Sequence, residues 1–308
     1  MNQRVRLPLV AMLLVLSSPA ADACSIPVFR YALERWAPSP FEVLVYRRGP
    51  LNESDRNALR AVESYTIGTN VDFTEIDLDG RDDKLSQAIW DANGKEMKLP
   101  CLMIRFPESD AKMPLAWKGP IDLEKIKPIV MSPVRERIAR KLIHGDSAVF
   151  LLLESGDAAA DDAAEKLLRE QLAKLEKSIE LPALTKDGPQ LRSELPLRIS
   201  LPVMRLSRTQ AGEQGLVELL LKCEDGLDKA NGPIVFTIFG RGRVLTALHG
   251  KDLAAKEIEG VTRFLCGACS CQVKELNPGV DLLFNTRWEA ILEVEVAPSP
   301  KVVSPEKP

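Results

Sequence analysis

The feature that most narrows what this chain can fold into is an order of elements that occurs twice. From position 41 the apolar pattern predicts a strand over Phe41 to Tyr46, a helix over Asn52 to Tyr65, a strand over Val71 to Leu78 and a helix over Lys84 to Ala92. Leu99 and Pro100 then lead into strands over Cys101 to Phe106 and Leu115 to Lys118, followed by a helical region from Asp122 to Ile143 interrupted at Pro128 and Pro133. The second half repeats the order. Ala148 to Leu153 is an apolar strand, Ala158 to Ile179 a helix with Leu167, Leu168, Leu172 and Leu175 on one face, Leu197 to Leu206 a strand and Glu213 to Leu227 a helix. Gly232 and Pro233 precede strands over Ile234 to Phe239 and Val244 to Leu248, joined by a turn at Gly240 to Arg243, and Asp252 is placed to cap a helix running toward Cys266.

Strands separated by helices pair in parallel through crossovers, whereas the closing pair of each half forms a hairpin. The expected fold is therefore α/β: two tandem domains, each a mixed, mostly parallel sheet with helices on both faces. The boundaries fall at 24–145 and 146–296, with a tail over 297–308 whose Pro- and Ser-containing composition predicts disorder. Residues 24–40 read as a short docking helix ended by Pro38 and Pro40.

The start of the chain has the layout of an export signal over 1–23. Arg4 and Arg6 precede an apolar run from Leu7 to Leu16, too short to span a bilayer, and Ala21 and Ala23 bracket a small-residue cleavage site that leaves Cys24 first in the mature chain. The expected location is extracytoplasmic, periplasmic or secreted. A lipoprotein anchored through Cys24 is the rival, and it is the only case in which a membrane enters. A formal net charge of -3 lacks the basic surplus that nucleic acid requires, so the expected partner is another protein.

The run from Gly232 to Gly250 resembles the C-terminal half of a thioredoxin fold, in which a cis-proline opens a strand, a glycine hairpin follows and a second strand ends in glycine before the last helix. Leu99 to Gly119 is similar but weaker. The resemblance implies two tandem thioredoxin-like domains without the usual active-site CxxC. In redox-active members that dithiol sits just after the first long strand, where the helix N-terminus lowers a thiol pKa. Here those positions hold Arg47 to Asn52 and Glu154 to Asp157, with no cysteine.

Half of the six cysteines instead fall late, at Cys266, Cys269 and Cys271. Three uses compete for them. As a non-classical thiol-disulfide or thiol-handling site, Cys266 and Cys269, three apart on a helix face, are the catalytic pair, with Lys274 favouring the thiolate and Cys271 or Cys24 resolving the mixed disulfide. As a soft-metal site for copper or zinc, Cys266, Cys269, Cys271 and Cys24 are the ligands. As a structural or interaction module, the cysteines form staples, one of them from Cys24 into the cluster. Cys101 and Cys223 read as buried thiols, and His144 and His249, each before a glycine, as structural.

Overall fold

The computed structural model describes residues 25–80, 84–107, 114–186, 188–269 and 273–293. The expected signal over 1–23, the tail over 297–308, Cys24 and Cys271 lie outside them. Two strands with apolar side chains on both faces organise the molecule, β1 (Phe41–Arg47) and β5 (Ala148–Leu153). A strand of that kind must be covered on both sides and sits inside a sheet. β1 lies between β2 (Val71–Asp77) and β3 (Cys101–Arg105), and β4 (Trp117–Pro120) completes the order β2-β1-β3-β4. β5 lies between β6 (Val203–Leu206) and β7 (Ile234–Phe239), and the order β6-β5-β7-β8-β9 adds β8 (Arg243–His249) and the two-residue β9 (Val280–Asp281).

Both sheets are mixed, but the expectation that they are mostly parallel is corrected. Only β1 with β2 and β5 with β6 run parallel; every other pairing is antiparallel. A crossover helix delivers the parallel partner, α2 (Glu53–Tyr65) in the first half and α6 (Ala158–Ser178) in the second. The next connection brings the chain to the other edge of the founding strand in the opposite direction. The strand expected over 197–206 is cut to four residues after Pro202, which has no N–H to give to a ladder.

The period-two alternation sorts the cores. Val43 and Val45 share one with Val149, Leu151 and Leu153, between the two sheets. Into that layer α2, α4 (Leu123–Val130), α5 (Pro133–Ile143) and α7 (Gln214–Lys222) insert Val62, Ile129, Ile138 and Leu219. Leu44 and Tyr46 face outward onto Ile89 of α3 (Lys84–Asn93). Ala148, Phe150 and Leu152 face α1 (Val28–Arg35), α6 and α8 (Ala255–Cys266). Helices thus cover both faces of both sheets.

Capping follows the sequence in part. The Asn52 side chain accepts the Asp55 amide at 2.8 Å and starts α2, and Asp157 accepts the Ala159 and Ala160 amides at the start of α6. Asp252 does not cap α8. It lies in a 3-10 turn, and the N-cap residue is Ala254, which offers no side-chain acceptor. The cis peptide is at Leu99–Pro100, ahead of β3, and not at Gly232–Pro233, where the resemblance implied one.

The ends of the chain cross over. α1, first in sequence, packs on the outer face of the second sheet. The segment after α8 returns to the first half, where the Asn70 amide donates to Leu282 O at 3.2 Å and its carbonyl oxygen accepts from Phe284 N at 2.9 Å. Among the described residues no helix is long and apolar enough to cross a membrane.

Candidate functional site

The cysteine cluster begins where α8 ends. Ile258, Thr262, Leu265 and Cys266 form the buried stripe of that helix, and Gly267, with extended backbone, stops it after Cys266. Cys269 therefore lies beyond the helix, and the shared helical face expected for Cys266 and Cys269 does not exist. Both are 1% exposed. Cys266 is not disulfide-bonded, and burial pushes its thiol up to about 12.

Lys274 does not serve a thiolate. Its ammonium is buried against the Asp281 carboxylate and also donates to Ala37 O and, at 2.8 Å, to Ser39 Oγ. Asp281 accepts the Ser39 amide at 2.8 Å as well and lies 3.4 Å from Arg243 Nη1. Burial alone would raise the Asp281 pKa, but Lys274, Arg243 and these hydrogen bonds together hold it below the ordinary carboxylate range.

The beginning of the described chain runs along the cluster. Pro27 pairs antiparallel with Ala268, the Val28 amide donates to Gly267 O and the Cys269 amide to Ile26 O, both at 3.0 Å. Of the four cysteines expected as metal ligands, Cys24 and Cys271 lie outside the described residues. Among the described residues no group of three or more His, Cys, Asp or Glu is placed to hold a metal ion. Cys101 and Cys223 are buried, with thiols pushed up by burial to about 11 and about 12.

The two strand-to-helix turns that lack cysteine are filled by carboxylate networks. In the first, Arg47 pairs with Glu75 at 2.9 Å and Asp77 at 2.6 Å, and Asp77 accepts the Gly49 and Asp79 amides. In the second, the buried Asp161 carboxylate accepts the Ser155 amide and hydroxyl, both at 2.8 Å, and the Gly156 amide at 3.1 Å. Arg205 reaches Glu154, Asp162 and Glu165 beside it. The backbone amides of Gly49 in the first turn and of Ser155 and Gly156 in the second are thus satisfied from within.

No protein-family model, curated protein or solved structure matches this chain. Its own surface therefore has to indicate where it binds. A cleft of about 420 Å³ lies between the α1–β1 connection at Ala37 and Pro38, the α2–β2 turn at Gly68 to Asn70, and α9 (Trp288–Leu292). Sequence reasoning assigned no function to α9 or to the segment that carries Asp281. Their only signal was a charge set in an apolar run, Asp281 before Leu282, Leu283 and Phe284. Glu34 is likewise fully buried: it accepts Arg30 Nε at 2.7 Å and the Arg192 and Ser193 amides at 2.8 and 3.0 Å, and pairs with the adjacent Arg35.

Proposed function

We propose that the protein is an extracytoplasmic binding module made of two tandem thioredoxin-like units, that its partner is another protein, and that its cysteines serve cohesion rather than turnover. The strand order β2-β1-β3-β4, one parallel pair followed by an antiparallel hairpin, supports the thioredoxin-like reading, and β6-β5-β7-β8 repeats it. Each position where that superfamily carries its dithiol is occupied by the hydrogen-bonded networks around Asp77 and Asp161.

The observation that carries the reading is Cys266 itself. A nucleophilic cysteine needs access and a lowered pKa. Cys266 is 1% exposed with its thiol pushed up to about 12, and the neighbouring cation is committed to Asp281. Neither thiol exchange at Cys266 and Cys269 nor a copper or zinc site gains support from this geometry.

A staple does gain support. Ser25 to Pro27 and Ala268 to Cys269 run side by side, Cys24 is one residue before the first stretch, and Cys271 is two residues after the second. Counted outward from the Pro27–Ala268 pair, Cys24 and Cys271 each stand three residues along the sequence. We assign the staple to Cys24 and Cys271. It forms by exchange with a protein disulfide donor, whose S–S bond is reduced to two thiols as the Cys24–Cys271 bond forms.

The test is alkylation of the purified mature protein, native and denatured, read by peptide mass spectrometry beside an insulin-reduction assay. The expected result is labelling of Cys266 only after denaturation, and no insulin reduction. Labelling of Cys266 in the folded protein at the rate of a free cysteine, or measurable reductase turnover, rejects the proposal.

A further inference from the structure

We propose that the cleft beside α9 binds a small carboxylic acid with an apolar body, its carboxylate held by Arg287. This goes beyond the binding-module reading and does not depend on it. A cleft of about 420 Å³ has the size of a small-molecule site and not of a protein interface.

Charge selects an anion. Among the described residues of the lining, the ionisable side chains are Arg287 and Glu289. Glu289 is neutralised by Arg241, a buried residue of the β7–β8 turn. Arg287 is exposed and pairs with no carboxylate among the described residues, so the lining keeps one uncompensated positive charge. Packing nevertheless holds its stem. The side chain lies across Gly68 (φ 89°), where an added Cβ would crowd its Cγ at 3.2 Å and its Nε at 3.4 Å. A guanidinium placed by packing instead of by a counterion is ready for a bidentate carboxylate and loses little freedom on taking one.

Further donors stand unused beside it. Trp288 is 2% exposed, yet its indole N–H donates to no described residue, and the Thr286 hydroxyl likewise has no partner among them. A donor on so buried a ring is costly to leave unpaired, and a carboxylate can accept several such bonds at once. Polar side chains on the opposite wall are already satisfied. The Thr69 hydroxyl donates to Thr66 O at 2.6 Å, and the Asn70 amide bonds to Ser39 O, Leu282 O and Phe284 N. The free donors are thus gathered on consecutive residues, Thr286 to Trp288.

The remaining surface is apolar. Ala37, Pro38 and Ala290 contribute to it, together with the Phe284 ring, whose centroid lies 5.9 Å from that of Trp288. Such walls give phosphate or sulfate nothing in return for its lost water, whereas they bury the body of an aromatic or branched acid. The Thr69–Asn285 bridge ties the α2–β2 turn to the segment ahead of α9, so the two walls are joined before any ligand arrives.

The test titrates phenylacetate into the full mature chain, with phenylacetamide as the neutral control. Calorimetry reads the affinity, and the indole N–H resonance of Trp288, assigned through its proximity to the Phe284 ring, reads the location. Phenylacetate should bind with a dissociation constant on the order of millimolar and shift that resonance saturably. Phenylacetamide should bind about tenfold more weakly. Arg287→Gln, at an exposed position, should weaken phenylacetate about tenfold and leave phenylacetamide unchanged, at an unchanged melting temperature. Equal affinities for acid and amide, an acid affinity that survives Arg287→Gln, or no saturable shift at Trp288 overturns the proposal. Inorganic phosphate binding as tightly as phenylacetate overturns it too. Native labelling of Cys266 reports separately on the binding-module reading, because it does not involve this cleft.

Discussion

The Glu213 carboxylate, from the second half of the chain, accepts the Val134 amide of the first half at 2.8 Å, at the N-terminus of α5. Its other oxygen accepts the Ser132 hydroxyl, and Glu213 is fully buried. Glu213→Ala strands both donors, so the expected loss is about 2–3 kcal/mol. In urea unfolding, far-UV and near-UV signals should move together, because the halves share this cap and one core. A variant that unfolds in two separated steps, or keeps its urea midpoint, contradicts the account.

Asp281→Asn removes the carboxylate that pairs with Lys274 and Arg243 in their buried pocket, and an expected 3–5 kcal/mol, roughly, goes with it. The same group sets an acid limit. Asp281, Glu34 and Asp161 all have pKa values below the ordinary carboxylate range in the folded protein, each despite burial, which by itself would raise them. The unfolded chain therefore takes up protons first. The stability these groups contribute is complete above about pH 4 and declines as the pH falls below it. Urea midpoints measured between pH 6 and pH 3, to the nearest unit, check the direction; a midpoint that rises toward pH 3 refutes it.

Alkali works in the opposite direction. Cys266, Cys223 and Cys101 keep their protons to about 12, about 12 and about 11, whereas in the unfolded chain they ionise near 9. Stability should be level below about pH 8.5 and decline as the pH rises through that window. Cys266→Val should retain less of this slope than the parent in reducing buffer. Identical slopes would remove Cys266 from the explanation.

The β7–β8 turn tests packing at the seam. Gly240 (φ 58°) and Gly242 (φ 92°) adopt left-handed backbone, and an added Cβ would come within 2.8 Å of Ala32 Cβ and 2.5 Å of the Phe284 ring. Gly242→Ala is expected to destabilise by about 2 kcal/mol or more, since it combines backbone strain with displacement of a buried ring. Calorimetry showing an unchanged melting temperature would mean that the turn relaxes freely.

Peptide mapping of the mature protein without reductant should recover Cys24 linked to Cys271, with Cys266 as a thiol. A disulfide at Cys24 and a lipid thioether at Cys24 use the same sulfur, so this linkage also decides between release and anchoring. A diacylglyceryl mass on the N-terminal peptide would exclude the staple.

Much of the fold was legible because local chemistry and tertiary demand agree in it. The unbroken apolar run from Ala148 to Leu153 and the caps Asn52 and Asp157 report on their own surroundings, and the structure retains them. What was not legible depends on contacts remote in sequence. Nothing near Lys274 announces that its partner is Asp281 rather than a thiol, whereas the helix stop after Cys266 had a local signal in Gly267, whose consequence, Cys269 off the helix face, was not drawn. Strand direction was misjudged for the same reason: a helix between two strands permits a parallel pair, but whether the third strand returns beside the first is decided by the whole sheet.

The crossing of the chain ends sets a timetable for folding. α1 is among the first elements made, and its neighbours in the second sheet, α8 among them, are nearly the last; Asn70 likewise waits for Phe284. Neither half can finish before the segment that carries Asp281 and Phe284 has been made, so the native state should close in one late event instead of growing domain by domain.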